Sequence, residues 1–312
     1  AYEIGVRLVG SEMCIRDSYN SEKNHDVLIL GDCEVYENIS PVTMWENYGI
    51  SSYIRGSAEQ LIWQSYYLLE DTLKYEKPQV VIVNVLAMTQ RDAKSEAYNR
   101  MTLDGMKLSK YKIASIRESM TEDENMASYI FPLLRYHSRW SELSSEDFRY
   151  MWKTPSVTTN GYLMQKGVRP VTTIPKAAPL ANYTFSSRNM EYLDKIYSLC
   201  KDNDINLVLM KAPSVYPHWY DEWDRQVSDY ADEHGILYLN TINETGNIGI
   251  DYTTDTFDYG QHLNVEGAEK LSLYLGKQLV KNFGLTDHRQ DESYKNVWKT
   301  IVNKYYEEKQ GD

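Results

Sequence analysis

The chain predicts an α/β fold, a three-layer α/β/α sandwich around a mostly parallel sheet. Three observations carry this. Short apolar runs such as VLIL (27–30) and VVIVNVL (80–86) read as strands buried on both faces. Segments with apolar residues at helical spacing lie between them. The regular alternation of strand and helix is the pattern of parallel strands joined by crossover helices. At 312 residues the chain is long enough to bury a substantial core in one such domain.

The elements follow in order. Val27 to Leu30, closed by Gly31, is the first strand. PVTMWENYG (41–49) reads as a short helix, with Pro early and Gly after its end. SSYIRG (51–56) is a second strand, and Ser57 or Ala58 starts a helix carrying Leu61, Ile62, Tyr66, Leu68 and Leu69. KPQVVIVNVLAM (77–88) holds the third strand. The alternation then pauses from about 91 to 181, where KLSKYKIASIRESM, MASYIFPLLRYHSRW and EDFRYMW look helical. SVTTNGYLMQKGVRPVTTIP (156–175) looks turn- and β-like. With no polar linker to fence it off, this segment reads as a helical insertion on the core. Beyond it come a helix over 187–201, a strand INLVLM, a helix over 216–234, a strand ILYLN and a helix over 265–283. The domain therefore spans 25–286, and 287–312 forms an amphipathic C-terminal helix and tail.

Composition narrows the functional classes. The formal net charge is -12, and there is no basic cluster interleaved with aromatics and no zinc-finger or P-loop spacing. A nucleic-acid partner is not expected. The three cysteines, Cys14, Cys33 and Cys200, form no close pair and no metal-ligand spacing, so neither a disulfide framework nor a bound metal is expected. Residues 1–24 read as a leader. Within it LVGSEMCIRDS (8–18) has no hydrophobic period and resembles a translated sequencing-adapter fragment. On that reading the natural N-terminus is not represented, and the lack of a 20-residue apolar segment does not exclude a signal peptide or membrane anchor.

Side chains at the carboxyl ends of parallel strands line the ligand crevice of such a sheet. Gly31-Asp32-Cys33 ends the first strand, Gly56 the second and Asn84 the third, while DTFDYGQHLN places Asp258 and His262 just before the last core helix. These are the parts for a nucleophile, a general base and a carboxylate to orient the base, with the Cys33 and Gly56 amides and Asn84 as donors to an oxyanion. Each residue also has a plainer reading: Cys33 as a small buried residue, the glycines as turn formers, Asn84 as a loop tie, Asp258 and His262 as surface groups.

In their order, GDCEV, RGSAEQ, Asn84 and DYGQHLN resemble the four blocks of the SGNH, or GDSL-like, hydrolases. The resemblance spans most of 26–283 apart from the insertion. It implies a flavodoxin-like sheet and acyl hydrolysis or transfer without a metal or other cofactor. Cys33 would be the nucleophile, Gly56 and Asn84 the oxyanion donors, and Asp258 and His262 the remaining pair. LGDCEVYENISP and the long insertion look like membrane-associated bacterial proteins that load D-alanyl or acetyl groups onto extracellular polymers. Three departures stand out. Cys33 occupies the place of the family's serine; a thiol is a competent nucleophile when its thiolate is favoured, and it would form a thioester. Three residues separate Asp258 from His262 instead of two, which leaves Asp255 as an alternative orienter. Asn84 sits in VNVLAM, outside the family's usual third block.

Residues around these blocks are candidates for substrate contact. Asp32 reads as a structural acceptor in the turn, Glu34 as a helix cap or a group shaping substrate access, and Tyr36 as a rim or core aromatic. In the insertion, His137, Arg139 and Trp140 combine imidazole, cation and flat ring, suited to a polymer bearing sugars and phosphate; a capped helix end is the alternative. Lys211, at the end of the fourth strand, is placed to meet a phosphate or carboxylate, or to be a solvated lysine. The expected activity is that of an acyl esterase or acyltransferase on an O-acylated extracellular polysaccharide or cell-wall polymer, outside the cytoplasm and anchored by a segment the sequence lacks. The rival is a non-catalytic glycan-binding or assembly partner of a membrane O-acyltransferase. A flavodoxin-like phosphate binder is a third and weaker reading, because the first strand turn lacks a glycine-rich cradle.

Overall fold

The computed structural model describes residues 15–19, 24–90, 95–131 and 159–311. Five parallel strands form its sheet: β1 (Val27–Gly31), β2 (Ser52–Gly56), β3 (Val80–Asn84), β4 (Asn206–Lys211) and β5 (Leu237–Asn240). They lie in the order β2-β1-β3-β4-β5, with Gly31 beside Gly56 and Asn84 beside Met210. The order reverses between β1 and β3, so a crevice opens beyond their carboxyl ends.

The helices are α1 (Cys33–Tyr36), α2 (Pro41–Tyr48), α3 (Ile62–Thr72), α4 (Glu96–Leu103), α5 (Lys110–Ser119) and α6 (Met126–Ile130), then α7 (Ser187–Asp202), α8 (Asp221–His234), α9 (Thr245–Ile248), α10 (Val265–Phe283) and α11 (Glu292–Gln310). Side chains alternate across the strands and divide the core in two. Leu28, Leu30, Val81, Val83, Leu207 and Leu209 pack on the layer containing α3, α5 and α7. Val27, Ile29, Val80, Ile82, Val208 and Met210 pack on the layer of α2, α10 and α11. Both faces are covered, as the unbroken apolar runs require.

The predicted strands and the helices α2, α7, α10 and α11 form where the sequence places them. Two helices begin later. The segment Ser57–Gln60 is a turn, with Ser57 Oγ donating to Gln60 Oε1 at 3.1 Å and Glu59 at φ 55°, so α3 starts only at Ile62. Pro217 disfavours helix at residue 216, and α8 starts at Asp221, with Asp221, Glu222 and Asp224 in the first turn, where the helix dipole favours acids. The expected helical run from 126 ends at Ile130 within the described residues, and EDFRYMW lies outside them.

The β-like stretch forms no regular strand over 159–175, yet it covers the sheet edge. Ile54 donates its amide to Asn160 O at 3.0 Å, and Asn160 Nδ2 donates to Ser52 O at 3.0 Å, which occupies polar groups that an edge strand would otherwise leave open. The C-terminal α11 is part of the second core: Trp298 stacks on Trp45 with ring centres 4.7 Å apart, and Tyr305 donates to Glu269 at 2.7 Å. Among the described residues no helix is long and apolar enough to cross a membrane.

Gly161 makes the edge cover possible. Its φ is +86°, and a Cβ there would lie 2.2 Å from Ile54 O, a backbone atom that cannot step aside. Gly161→Ala is expected to destabilise the fold by roughly 2–4 kcal/mol, from left-handed strain plus overlap. Urea unfolding of the variant against the parent chain measures it.

Candidate functional site

The site begins where β1 ends. Asp32 caps α1, its Oδ1 accepting the Glu34 amide at 3.1 Å, so Cys33 becomes the first helical residue with its amide at an open helix start. Cys33 is half-buried at the floor of a cleft of about 320 Å³, whose walls include Glu59, Thr89, Tyr216, Trp223 and His262.

His262 arrives from a turn built on Thr256. Thr256 Oγ1 donates to His262 O at 2.8 Å and accepts the Gly260 amide at 2.8 Å. Tyr259 and Gly260 both take positive φ, and a Cβ on Gly260 would lie 2.6 Å from Val171 Cγ2. The turn folds Asp258 back onto His262. One carboxylate then holds both ends of the residue: Oδ1 accepts the His262 amide at 2.8 Å, and Oδ2 lies 2.7 Å from Nδ1. That contact leaves Nε2 uncommitted, and His262 and Cys33 line the same cleft, close enough for each to shift the other's titration. The three intervening residues are thus accommodated by the two left-handed residues. Asp255 is elsewhere: it pairs with Lys270 at 2.6 Å and accepts the Asp251 amide at 2.8 Å.

Two residues were missed by sequence reasoning. Glu37, fully buried, brings Oε2 to 3.3 Å from His262 Nδ1, and its Oε1 accepts from Gln165 at 2.9 Å. Asn38 Oδ1 accepts the Leu263 amide at 2.8 Å and ties the histidine loop to the end of α1. The one available signal was spacing: Glu37 stands four residues after Cys33, one helical turn on, and its amide donates to Cys33 O at 3.1 Å.

The electrostatics follow from this crowding. Burial pushes the Cys33 thiol up to about 12; the charge of His262 pulls it down, but Asp32 and Glu37 add to the rise. Burial opposes charging His262, yet the negative potential of Cys33 and Glu37 and the bond to Asp258 override it and raise its pKa well above the ordinary value.

Several expected contacts resolve differently. Asn84 does not stand free as an oxyanion donor: Nδ2 donates to Asp32 at 3.0 Å and to Glu34 at 2.9 Å, which uses both amide hydrogens. Gly56 lies beneath α1, where a Cβ would come within 3.0 Å of Gly31 O and Val35 Cγ2, and it is not part of the cleft wall. Tyr36 is buried in the second core. Lys211 is not a solvated rim cation. It is fully buried and donates to Glu34 Oε1 at 2.7 Å, to Ala212 O at 2.7 Å and to Ser214 Oγ at 3.0 Å. Glu34 touches the cleft floor, but its carboxylate is committed to Lys211 and Asn84. Asp32, beside them, is pushed up to about 7 by burial and by Glu34, against the opposing pull of Lys211 and Asn84. His137, Arg139 and Trp140 lie outside the described residues.

This buried set is structural support for the cleft floor. Lys211→Met leaves two carboxylates facing each other and is expected to cost about 3–5 kcal/mol, with much of the loss recovered when Glu34→Gln is added. Thermal and urea unfolding of the single and double variants checks it.

Glu37 gives a second expected outcome. Glu37→Gln removes a negative charge that repels the thiolate and steadies the imidazolium, so both pKa values fall. The pH midpoint for iodoacetamide alkylation of Cys33, read by peptide mass spectrometry, is expected to move down by about one unit. An unchanged midpoint would show that Glu37 does not act on this pair.

No family model matches the chain, and no curated protein matches it. Solved structures similar to it include a candidate acylhydrolase from Bacteroides fragilis, 11% identical, covering 84% of this chain and 89% of that one with a TM-score of 0.40. Another is a candidate lipolytic protein of the G-D-S-L family from Desulfitobacterium hafniense, 13% identical, covering 81% and 99% with a TM-score of 0.41. A GDSL-like lipase from Bacteroides thetaiotaomicron is 10% identical, covering 88% and 98% with a TM-score of 0.39. None of these likenesses carries a functional assignment.

Proposed function

We propose that the chain is a thiol-dependent acyl esterase or acyltransferase acting on an O-acylated extracellular polysaccharide or cell-wall polymer. The observation that carries this is one shared cleft: Cys33 and His262 both line it and shift each other's titration, and His262 Nδ1 lies 2.7 Å from Asp258. Nucleophile, base and orienting carboxylate are each within reach of the next.

In the working form the imidazole is neutral. Nε2 takes the thiol proton as Sγ attacks the acyl carbonyl carbon, and the C=O π electrons move onto oxygen. The Cys33 amide, at the start of α1, is a backbone donor for that oxyanion. When the oxyanion collapses, the C–O bond to the leaving alcohol breaks and the imidazolium returns its proton to that oxygen. Water or an acceptor hydroxyl then gives its proton to His262 and attacks the thioester carbon; the C–S bond breaks, the imidazolium returns the proton to Sγ, and an acid or a new ester is released. Asp258 keeps the hydrogen of the neutral ring on Nδ1, leaving Nε2 free to accept. Because the His262 pKa is raised, this form gains population as pH rises, so the acylation rate is expected to climb above neutrality.

A polymer substrate, a location outside the cytoplasm and an anchoring segment belong to the same proposal. They follow from the resemblance of LGDCEVYENISP and the long insertion to membrane-associated bacterial proteins that load D-alanyl or acetyl groups onto extracellular polymers. The raised Cys33 pKa favours a second reading, in which the cleft holds a glycan for a membrane acyltransferase and performs no chemistry.

Acyl-enzyme trapping separates the two. Incubation with p-nitrophenyl acetate, acid quench and peptide mass spectrometry are expected to place one acetyl group on Cys33. His262→Ala should slow its formation about 10²-fold or more, and Asp258→Asn should slow it in the same direction. A Cys33 that stays unlabelled at pH 9 would reject the enzyme reading in favour of binding.

A further inference from the structure

The cleft does not end at Cys33. A second cavity, of about 390 Å³, adjoins it, and the two share Thr89 and Trp223 as common wall. Thr89 comes from the turn after β3 and Trp223 from the first turn of α8; the far wall is the segment 180–186 that leads into α7. Each cavity falls in the size range of a small-molecule site, and together they make a groove running away from the thiol.

The groove has a consistent chemistry. Rings recur along it: Tyr216 by the thiol, Trp223 at the junction, Phe185 at the far end. Trp223 is held on two sides, edge-on by Tyr220 at 4.8 Å between ring centres and tilted against Trp219 at 5.6 Å, so the indole is a fixed platform. Amides and hydroxyls stand between the rings, from Gln90 and Gln261 near the thiol to Asn182 and Thr184 beyond Trp223. Among the described wall residues there is no lysine or arginine, whereas Asp32, Glu34 and Glu59 supply carboxylates.

We infer that the second cavity is a subsite for an uncharged sugar residue of a glycan whose acyl group lies at Cys33. Sugar rings carry apolar C–H faces and hydroxyl edges, which match an aromatic platform flanked by amides and hydroxyls. An aliphatic chain would cover those amides and hydroxyls without offering them a hydrogen bond. A phosphate or uronate in the second cavity would meet no charged group among the described wall residues, so nothing there would offset the loss of its hydration. The inference rests on the acyl-transfer reading only for the group held at Cys33; sugar binding itself needs no chemistry.

The test is calorimetric titration of the full chain with cellotetraose, xylotetraose and chitotetraose, beside polygalacturonate and octanoate as charged and aliphatic probes. At least one neutral tetrasaccharide should bind, about tenfold more weakly to Trp223→Ala and nearly unchanged to Trp223→Phe. Because Trp223 is partly buried, Thr184→Trp is the second variant: Thr184 is exposed, and the added indole should fill the cavity and weaken binding to the same degree. Failure of all three tetrasaccharides to bind overturns the inference, as does binding indifferent to both Trp223→Ala and Thr184→Trp, or preference for polygalacturonate or octanoate. Binding without acetyl label on Cys33 keeps the subsite and removes the enzyme; label without binding does the reverse.

Discussion

The 2.7 Å contact between His262 Nδ1 and Asp258 is made inside the protein, with both side chains largely removed from water. There an ionic hydrogen bond is stronger than at the surface, and an unpaired charge is more costly. The surrounding loop is shaped to meet that demand: Thr256 closes it, Gly260 passes where no side chain fits, and Asn38 fastens its far end. Glu37 adds a second carboxylate to the same nitrogen. The imidazole is therefore biased toward its charged form, and the pKa of the neighbouring thiol is raised by burial and by Asp32 and Glu37.

Beneath the cleft a separate set of charges performs a different task. Asp32, Glu34, Asn84 and Lys211 stand at the ends of three adjacent strands and satisfy one another, so the strand ends are locked in position by groups with no capacity left for a ligand. Buried ionic sets of this kind contribute position more reliably than stability. Here they hold Cys33 at the start of α1, opposite the loop of His262. The binding chemistry lies to one side, along the aromatic and amide wall that leads from Tyr216 past Trp223.

Most of the fold was legible because its strands are buried on both faces and their apolar runs are unmistakable. The ends of elements were less so. The start of α3 depends on a turn in which Glu59 takes positive φ, and nothing in SAEQ announces that. The edge cover at 159–161 works through single hydrogen bonds to β2 rather than a strand, so it has no period to detect.

The same division runs through the site. Residue type and order were enough to nominate Cys33, Asp258 and His262, because acyl chemistry requires a nucleophile, a base and an acid at the ends of converging elements. Sequence favoured Asp258 and kept Asp255 as an alternative; the turn through Tyr259 and Gly260 aims Asp258 at the imidazole, while Lys270 claims Asp255. It also drew Glu34, Asn84 and Lys211 as ligand contacts, since strand-end position is visible in a sequence but partners are not. Which polar group faces substrate and which is consumed by a neighbour is settled only in three dimensions. Each hydrogen-bonding atom has few bonds to give, and only the packed structure decides who receives them.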